Sequence, residues 1–243
     1  MKIFGFLAND EKKFVNITCN IILVFTLMFV LAFSVFSPIA TEAYSNGQQA
    51  IYHGNTNSNK MCLMINVYWG DEFLDSMLET LKQNDVKTTF FVGGCWVAKN
   101  NAMLQKIVDG GHELANHGYF HKDHAKISVE AGKEEIYMTH ELVKNLTNVE
   151  MNLFAPPSGS VNEKVVNCAT SLGYKTIMWT RDTIDWRDKN ANLVFSRATQ
   201  NAKGGDLVLM HPTKHTAEAL GDIIATLKGK GFFLTTVSDV VAE

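Results

Sequence analysis

The chain has 243 residues, 46% hydrophobic and 19% charged, with a formal net charge of −3. This is a globular composition, long enough for one sizeable core. The near-balanced charge offers no electrostatic footprint for nucleic acid, so no nucleic-acid partner is expected, and neither a strongly acidic nor a strongly basic substrate is indicated.

The amino-terminal segment stands apart. No charged residue occurs between Lys13 and Glu42, and Ile21 to Phe36 is almost wholly aliphatic or aromatic. About 20 apolar residues suffice to span a bilayer as a helix, and Lys12 and Lys13 ahead of the run favour an inside amino terminus with the body outside. Residues 1–43 are therefore read as a signal peptide or membrane anchor, with Thr41-Glu42-Ala43 as a candidate cleavage region. The body is expected to be extracytoplasmic, secreted or held to the membrane through this helix. Residues 44–60, with Asn-Gly-Gln-Gln and Asn-Thr-Asn-Ser-Asn, read as a polar linker.

From residue 61 to 243 strand-like and helix-like runs alternate. Strands are predicted at Met61–Val67, Thr88–Val92, Leu153–Phe154, Tyr174–Trp179, Asp206–Met210 and Phe232–Val237. Helices are predicted at Phe73–Gln83, Ala102–Asp109, Ser128–Leu146, Asn162–Leu172, Leu193–Asn201 and Thr216–Lys228, several of them closed by glycine. Repeated β-then-α units with apolar strands imply parallel strands covered by helices, an α/β fold. The polar motifs fall just after strands, where (β/α) barrels carry their sites, so a distorted (β/α) barrel fits better than an open sheet. Cys62, Cys95 and Cys168, odd in number and widely spaced, read as thiols rather than as a disulfide framework or structural zinc site.

Histidines carry the chemical signal. His117 and His121 are four apart, which puts both imidazoles on one face if the segment coils as a helix, a spacing able to serve one metal ion. His112 reads as structural and His124 as a surface residue. His211 ends the strand Leu207 to Met210, at the rim where a barrel places reacting groups. Asp182, Asp185 and Trp186 follow an earlier strand to the same rim, and a carboxylate there can fix the tautomer of a histidine. Pro156, Pro157 and Pro212 stiffen these loops.

In this order the motifs resemble those of polysaccharide deacetylases of the NodB-homology type, carbohydrate esterase family four, with wording nearest the subgroup of spore-forming bacteria. The resemblance runs through Val86-Lys87-Thr88-Thr89-Phe90-Phe91-Val92-Gly93, Gly111-His112-Glu113-Leu114-Ala115-Asn116-His117, His121, Phe154-Ala155-Pro156-Pro157-Ser158-Gly159, Asp182-Thr183-Ile184-Asp185-Trp186 and Leu209-Met210-His211. It implies a distorted (β/α) barrel that removes N-acetyl groups from cell-wall glycan such as peptidoglycan, with Zn2+ or another divalent metal. By the same resemblance His117 and His121 are the metal pair and His211 is the catalytic acid. Asp182 is its carboxylate partner, and Trp186 and Pro157 belong to the sugar-binding wall. A role in sporulation or the cell wall follows.

The first motif departs from the family. Where the family has Thr-Phe-Asp-Asp-Gly, this chain has Asn66-Val67-Tyr68-Trp69-Gly70. Tyr68 stands at the base position and Trp69 at the metal-binding aspartate; an indole has no lone pair for a metal and a neutral phenol is a weak base. The arginine that normally precedes the proline pair is Ala155. Asp71, with Glu72 beside it, is the candidate substitute ligand, against the plainer reading of an acidic first helical turn. Three functions follow: an N-acetyl amide hydrolase with a substitute carboxylate, an inactive glycan-binding or scaffold protein, and a metal hydrolase of another amide or ester.

Overall fold

A computed structural model describes residues 20–28 and 49–242. Residues 20–28 are helical and exposed, whereas the remainder of the predicted apolar span and its cleavage region lie outside the described residues. Among the described residues no helix is long and apolar enough to cross a membrane.

The domain is built on β1 (Lys60–Val67), which is buried along seven of its eight positions. Such a run has no solvent face because both sides are covered. Met61, Leu63, Ile65 and Val67 face an outer core that includes Leu74, Met77 and Leu81, from helix α1 (Asp71–Gln83). Cys62 and Met64 alternate to the inside, against Phe91, Ala115, Leu153, Ile177 and Leu207. Around β1 come β2 (Thr89–Val92), β3 (Glu113–Asn116), β4 (Leu153–Phe154), β5 (Lys175–Thr176), β6 (Arg181–Asp182), β7 (Leu207–Met210) and β8 (Phe233–Leu234). The sheet runs β5-β4-β3-β2-β1-β7-β6, with β8 also paired to β1, and its named strand pairs are parallel. This is the distorted, incompletely closed (β/α) barrel anticipated from the sequence.

The remaining helices are α2 (Gly94–Val97), α3 (Asn101–Asp109), α4 (Val129–Thr147), α5 (Glu163–Ser171), α6 (Asp185–Asp188), α7 (Ala191–Thr199), α8 (Lys214–Gly229) and α9 (Val237–Val241). Ser128, Asn162, Asn190 and Thr213 cap α4, α5, α7 and α8 through their side chains, supplying acceptors for first-turn N–H groups. Two predicted strands shorten. Tyr174–Trp179 contracts to β5, and Phe232–Val237 contracts to β8. Val237 then starts α9, capped by Thr236, and sends Val237 and Val240 into the inner core.

The stretch expected as a linker is pinned to the domain over its second half. The Ile51 N–H donates to the Thr176 carbonyl and the Met178 N–H donates to the Ile51 carbonyl, both at 2.8 Å. His53 forms an antiparallel bridge to Asp206, beside β7. The segment thus fills the seam between β5 and β7.

Candidate functional site

The carboxyl ends of β1, β3 and β7 meet a cleft of about 400 Å³. Its lining includes Tyr68, His117, His121, Trp186 and His211, so the structure brings together the residues singled out from three separate motifs.

His117 follows β3 and is buried. Its Nδ1 lies 2.7 Å from the Ala155 carbonyl. A carbonyl only accepts, so Nδ1 carries the proton and Nε2 keeps its lone pair. Burial, followed by the neighbouring His121, pushes its pKa down to about 3, which keeps the ring neutral. Burial also lowers His121. The two rings sit 5.1 Å apart between centroids, edge to face.

They are not brought together by a helix, as the four-residue spacing had suggested. Gly118 has φ 73° and His121 φ 56°, so the chain turns back through the left-handed region. Glu135, buried in α4, holds that turn: its Oε2 accepts from the Tyr119 N–H at 2.9 Å and the Phe120 N–H at 2.7 Å. Lys122 pairs with the other oxygen at 3.1 Å. Sequence reasoning missed Glu135, although its signal was present. It shares the buried face of α4 with Gly132, Ile136, Thr139 and Val143, where an acid needs partners. His124, expected on the surface, is buried beneath this turn and has a pKa lowered by burial to about 4.

On the opposite wall, His211 is buried after β7. Its partner is Asp185, which corrects the expected Asp182. Asp185 Oδ1 lies 2.8 Å from His211 Nδ1, and Oδ2 accepts from the His211 backbone N–H and the Thr216 hydroxyl, each at 2.6 Å. Asp182 instead accepts from the Ile184 N–H at 2.8 Å, closing a local turn. The turn puts Ile184 at φ 52°, which swings the next residue, Asp185, inward. Asp182 stays on the cleft lining. Trp186 is half exposed along the same wall, whereas Pro157 is buried and leaves Ser158 and Gly159 to line the cleft.

The first motif determines what the histidine pair can hold. Gly70 has φ 83°, and a Cβ there would lie 2.1 Å from the Pro212 carbonyl oxygen, so only glycine lets this loop approach the loop after β7. The Tyr68 ring stacks on His121, centroids 3.7 Å apart and planes 22° apart. Trp69 lies parallel to His211 at 5.9 Å. Asp71, the candidate substitute ligand, is engaged elsewhere: its Oδ1 accepts from the Trp96 indole N–H at 2.6 Å. Among the described residues no group of three or more His, Cys, Asp or Glu side chains is placed to hold a metal ion. A zinc centre of this kind needs three protein ligands. The donor set of two imidazoles under a phenol ring does not fit one.

Elsewhere Cys62, Cys95 and Cys168 are free thiols.

Residues 53–177 match the polysaccharide deacetylase family model. The chain is 38% identical over 195 residues to the uncharacterised protein YlxY of Bacillus subtilis, covering 80% of this chain and 61% of that one. It is 29% identical over 199 residues to the peptidoglycan-N-acetylmuramic acid deacetylase PdaA of the same organism, covering 80% and 76%. Among solved structures it resembles BA3943, a carbohydrate esterase family four pseudoenzyme from Bacillus anthracis, with 38% identity and a TM-score of 0.79 over 81% of this chain and 70% of that one. A mutant of that protein with restored enzymatic activity matches at 36% identity and the same TM-score, over 81% and 72%. Fold, motif order and these likenesses agree: the chain belongs to the polysaccharide deacetylase family.

Proposed function

We propose that this chain is a glycan-binding member of the deacetylase family that holds N-acetylated cell-wall polysaccharide, such as peptidoglycan, without cleaving it. The observation that carries this reading is the Tyr68 ring lying on His121, with Asp71 turned away to Trp96. The family's metal and base positions are thus held by aromatic groups, while the cleft and the exposed indole of Trp186 remain. Likeness to a pseudoenzyme supports the same reading. The protein acts outside the cytoplasm, on the membrane through its amino-terminal apolar segment.

A second reading is hydrolysis of the acetamide carbon–nitrogen bond, and the intact Asp185–His211 pair favours it. Asp185 holds the Nδ1 proton of His211 and leaves Nε2 toward the cleft, where it would take up a proton released by the attacking water and pass it to the nitrogen of the departing amine as the carbon–nitrogen bond breaks.

One experiment separates them. The full chain is assayed for bound zinc, for amine release from acetylated glycan oligomers, and for binding to the same oligomers with and without chelator. Chelator-insensitive binding without amine release is expected. Amine release that disappears in His211→Ala would establish the hydrolase instead.

A further inference from the structure

The inward-facing row of β1 reads Cys62, Met64 and then Asn66, as the strand alternation requires. The first two pack in the apolar interior. Asn66 is the member of the row that reaches the cleft and lines its floor. It is 3% exposed, and its Oδ1 has no hydrogen-bond partner among the described residues.

A buried amide oxygen without a partner works against the free fold, so its presence calls for a ligand or a role. Among the described residues the other buried side-chain atoms in this condition belong to His124, Thr170 and Thr176, none of which lines the cleft. Asn66 also stands where the family motif has threonine, so the carboxamide arrives together with the aromatic substitutions at Tyr68 and Trp69. The last torsion of a carboxamide is soft and roughly two-fold. As placed, Oδ1 is shielded from solvent, and a half-turn about that torsion brings it to the cleft.

We propose that Asn66 is the specificity residue of the cleft, its oxygen accepting the N–H of a sugar acetamido group. Leu209 and Trp179 line the same cleft and offer apolar surface to the acetyl methyl. A hydroxyl could also donate to Asn66, but it would leave that apolar surface unfilled. Recognition through a carboxamide thus takes over from the metal the site no longer fits. This inference rests on the glycan-binding reading.

The test is calorimetric titration of the full chain with the tetramer of N-acetylglucosamine, its fully deacetylated form and a β-1,4-linked glucose tetramer. Each measurement is repeated for Asn66→Leu and Asn66→Ala, with melting temperatures recorded without ligand. Wild type should prefer the acetylated tetramer by at least about tenfold. Asn66→Leu should erase that preference while melting at or above the wild-type temperature, because an unpaired polar group has been replaced by an apolar one of similar size. Asn66→Ala should erase it too. Retained preference in both variants overturns the proposal, as does a lowered melting temperature in Asn66→Leu, which would make Asn66 a structural residue. Wild type that binds all three tetramers equally defeats this inference alone; wild type that binds none defeats the glycan-binding reading beneath it.

Discussion

Asp185 grips His211 at two points, with one carboxylate oxygen 2.8 Å from the ring Nδ1 and the other 2.6 Å from the backbone nitrogen. The second oxygen also takes the Thr216 hydroxyl, so one buried side chain ties the end of β7 to the start of α8. Removing it strands two donors and a ring nitrogen. Asp185→Ala is expected to lose about 3 kcal/mol of stability, and Asp182→Ala about 1 kcal/mol or less, since Asp182 closes only a local turn. Urea denaturation of the two variants decides the assignment; equal losses would return the role to Asp182.

The donor set beside His117 lacks a carboxylate, and the family motif shows where one belongs. The double variant Tyr68→Asp with Trp69→Asp is expected to acquire about one zinc per chain, measured by elemental analysis after dialysis, where wild type retains none. His117 is already in the required form, its Nδ1 proton engaged by Ala155 and its pKa held at about 3 by burial. A double variant that stays metal-free would mean that the turn from His117 to His121 cannot adopt ligand geometry.

Trp186 is 53% exposed, so its indole contributes little to the core and much to any sugar that stacks on it. Trp186→Ala should weaken glycan binding about tenfold, near 1.4 kcal/mol, with a melting temperature close to wild type. Loss of stability without loss of binding would place the indole in the fold instead.

His112 sets an acid limit on the fold, far from the cleft. Its pKa is lowered to about 4 from 6.5, first by burial and then by the Lys87 charge, and its Nδ1 accepts from the Thr88 N–H at 3.3 Å. Between pH 4 and 6.5 the unfolded imidazole takes a proton that the folded one refuses. Stability is therefore full above about pH 6.5 and falls as the pH drops toward 4. Melting temperatures across this range should show the fall, and His112→Gln, which can still accept from Thr88, should flatten part of it.

The barrel was legible because its strongest elements obey single rules. The residues from Met61 to Val67 form a continuous apolar run, and the long helices repeat their apolar positions and carry capping residues. The short pieces escaped. β6 is two residues long, and Arg181 reads as polar because its guanidinium donates to backbone carbonyls of Arg197 and Asn201. At the site, the histidines and Asp185 stood out by residue type, but their pairing depended on backbone reversals at Gly118, His121 and Ile184. Two of those reversals fall on non-glycine residues, where positive φ is uncommon, so spacing favoured a helix for His117 and His121, and the family resemblance pointed to Asp182 where the fold presents Asp185 to His211. Asn66 went unread for a different reason: a missing hydrogen bond leaves no trace in sequence.

Ile51 lies nine residues before β1, yet it closes the seam beside Thr176 and Ile177. A recombinant domain begun at β1 would leave that strip of main chain unpaired, next to the buried side chain of Ile177. An open strand edge of this kind invites pairing with a second molecule. Such a truncation would favour self-association, and a recombinant boundary that keeps this strip of main chain paired lies upstream of Ile51.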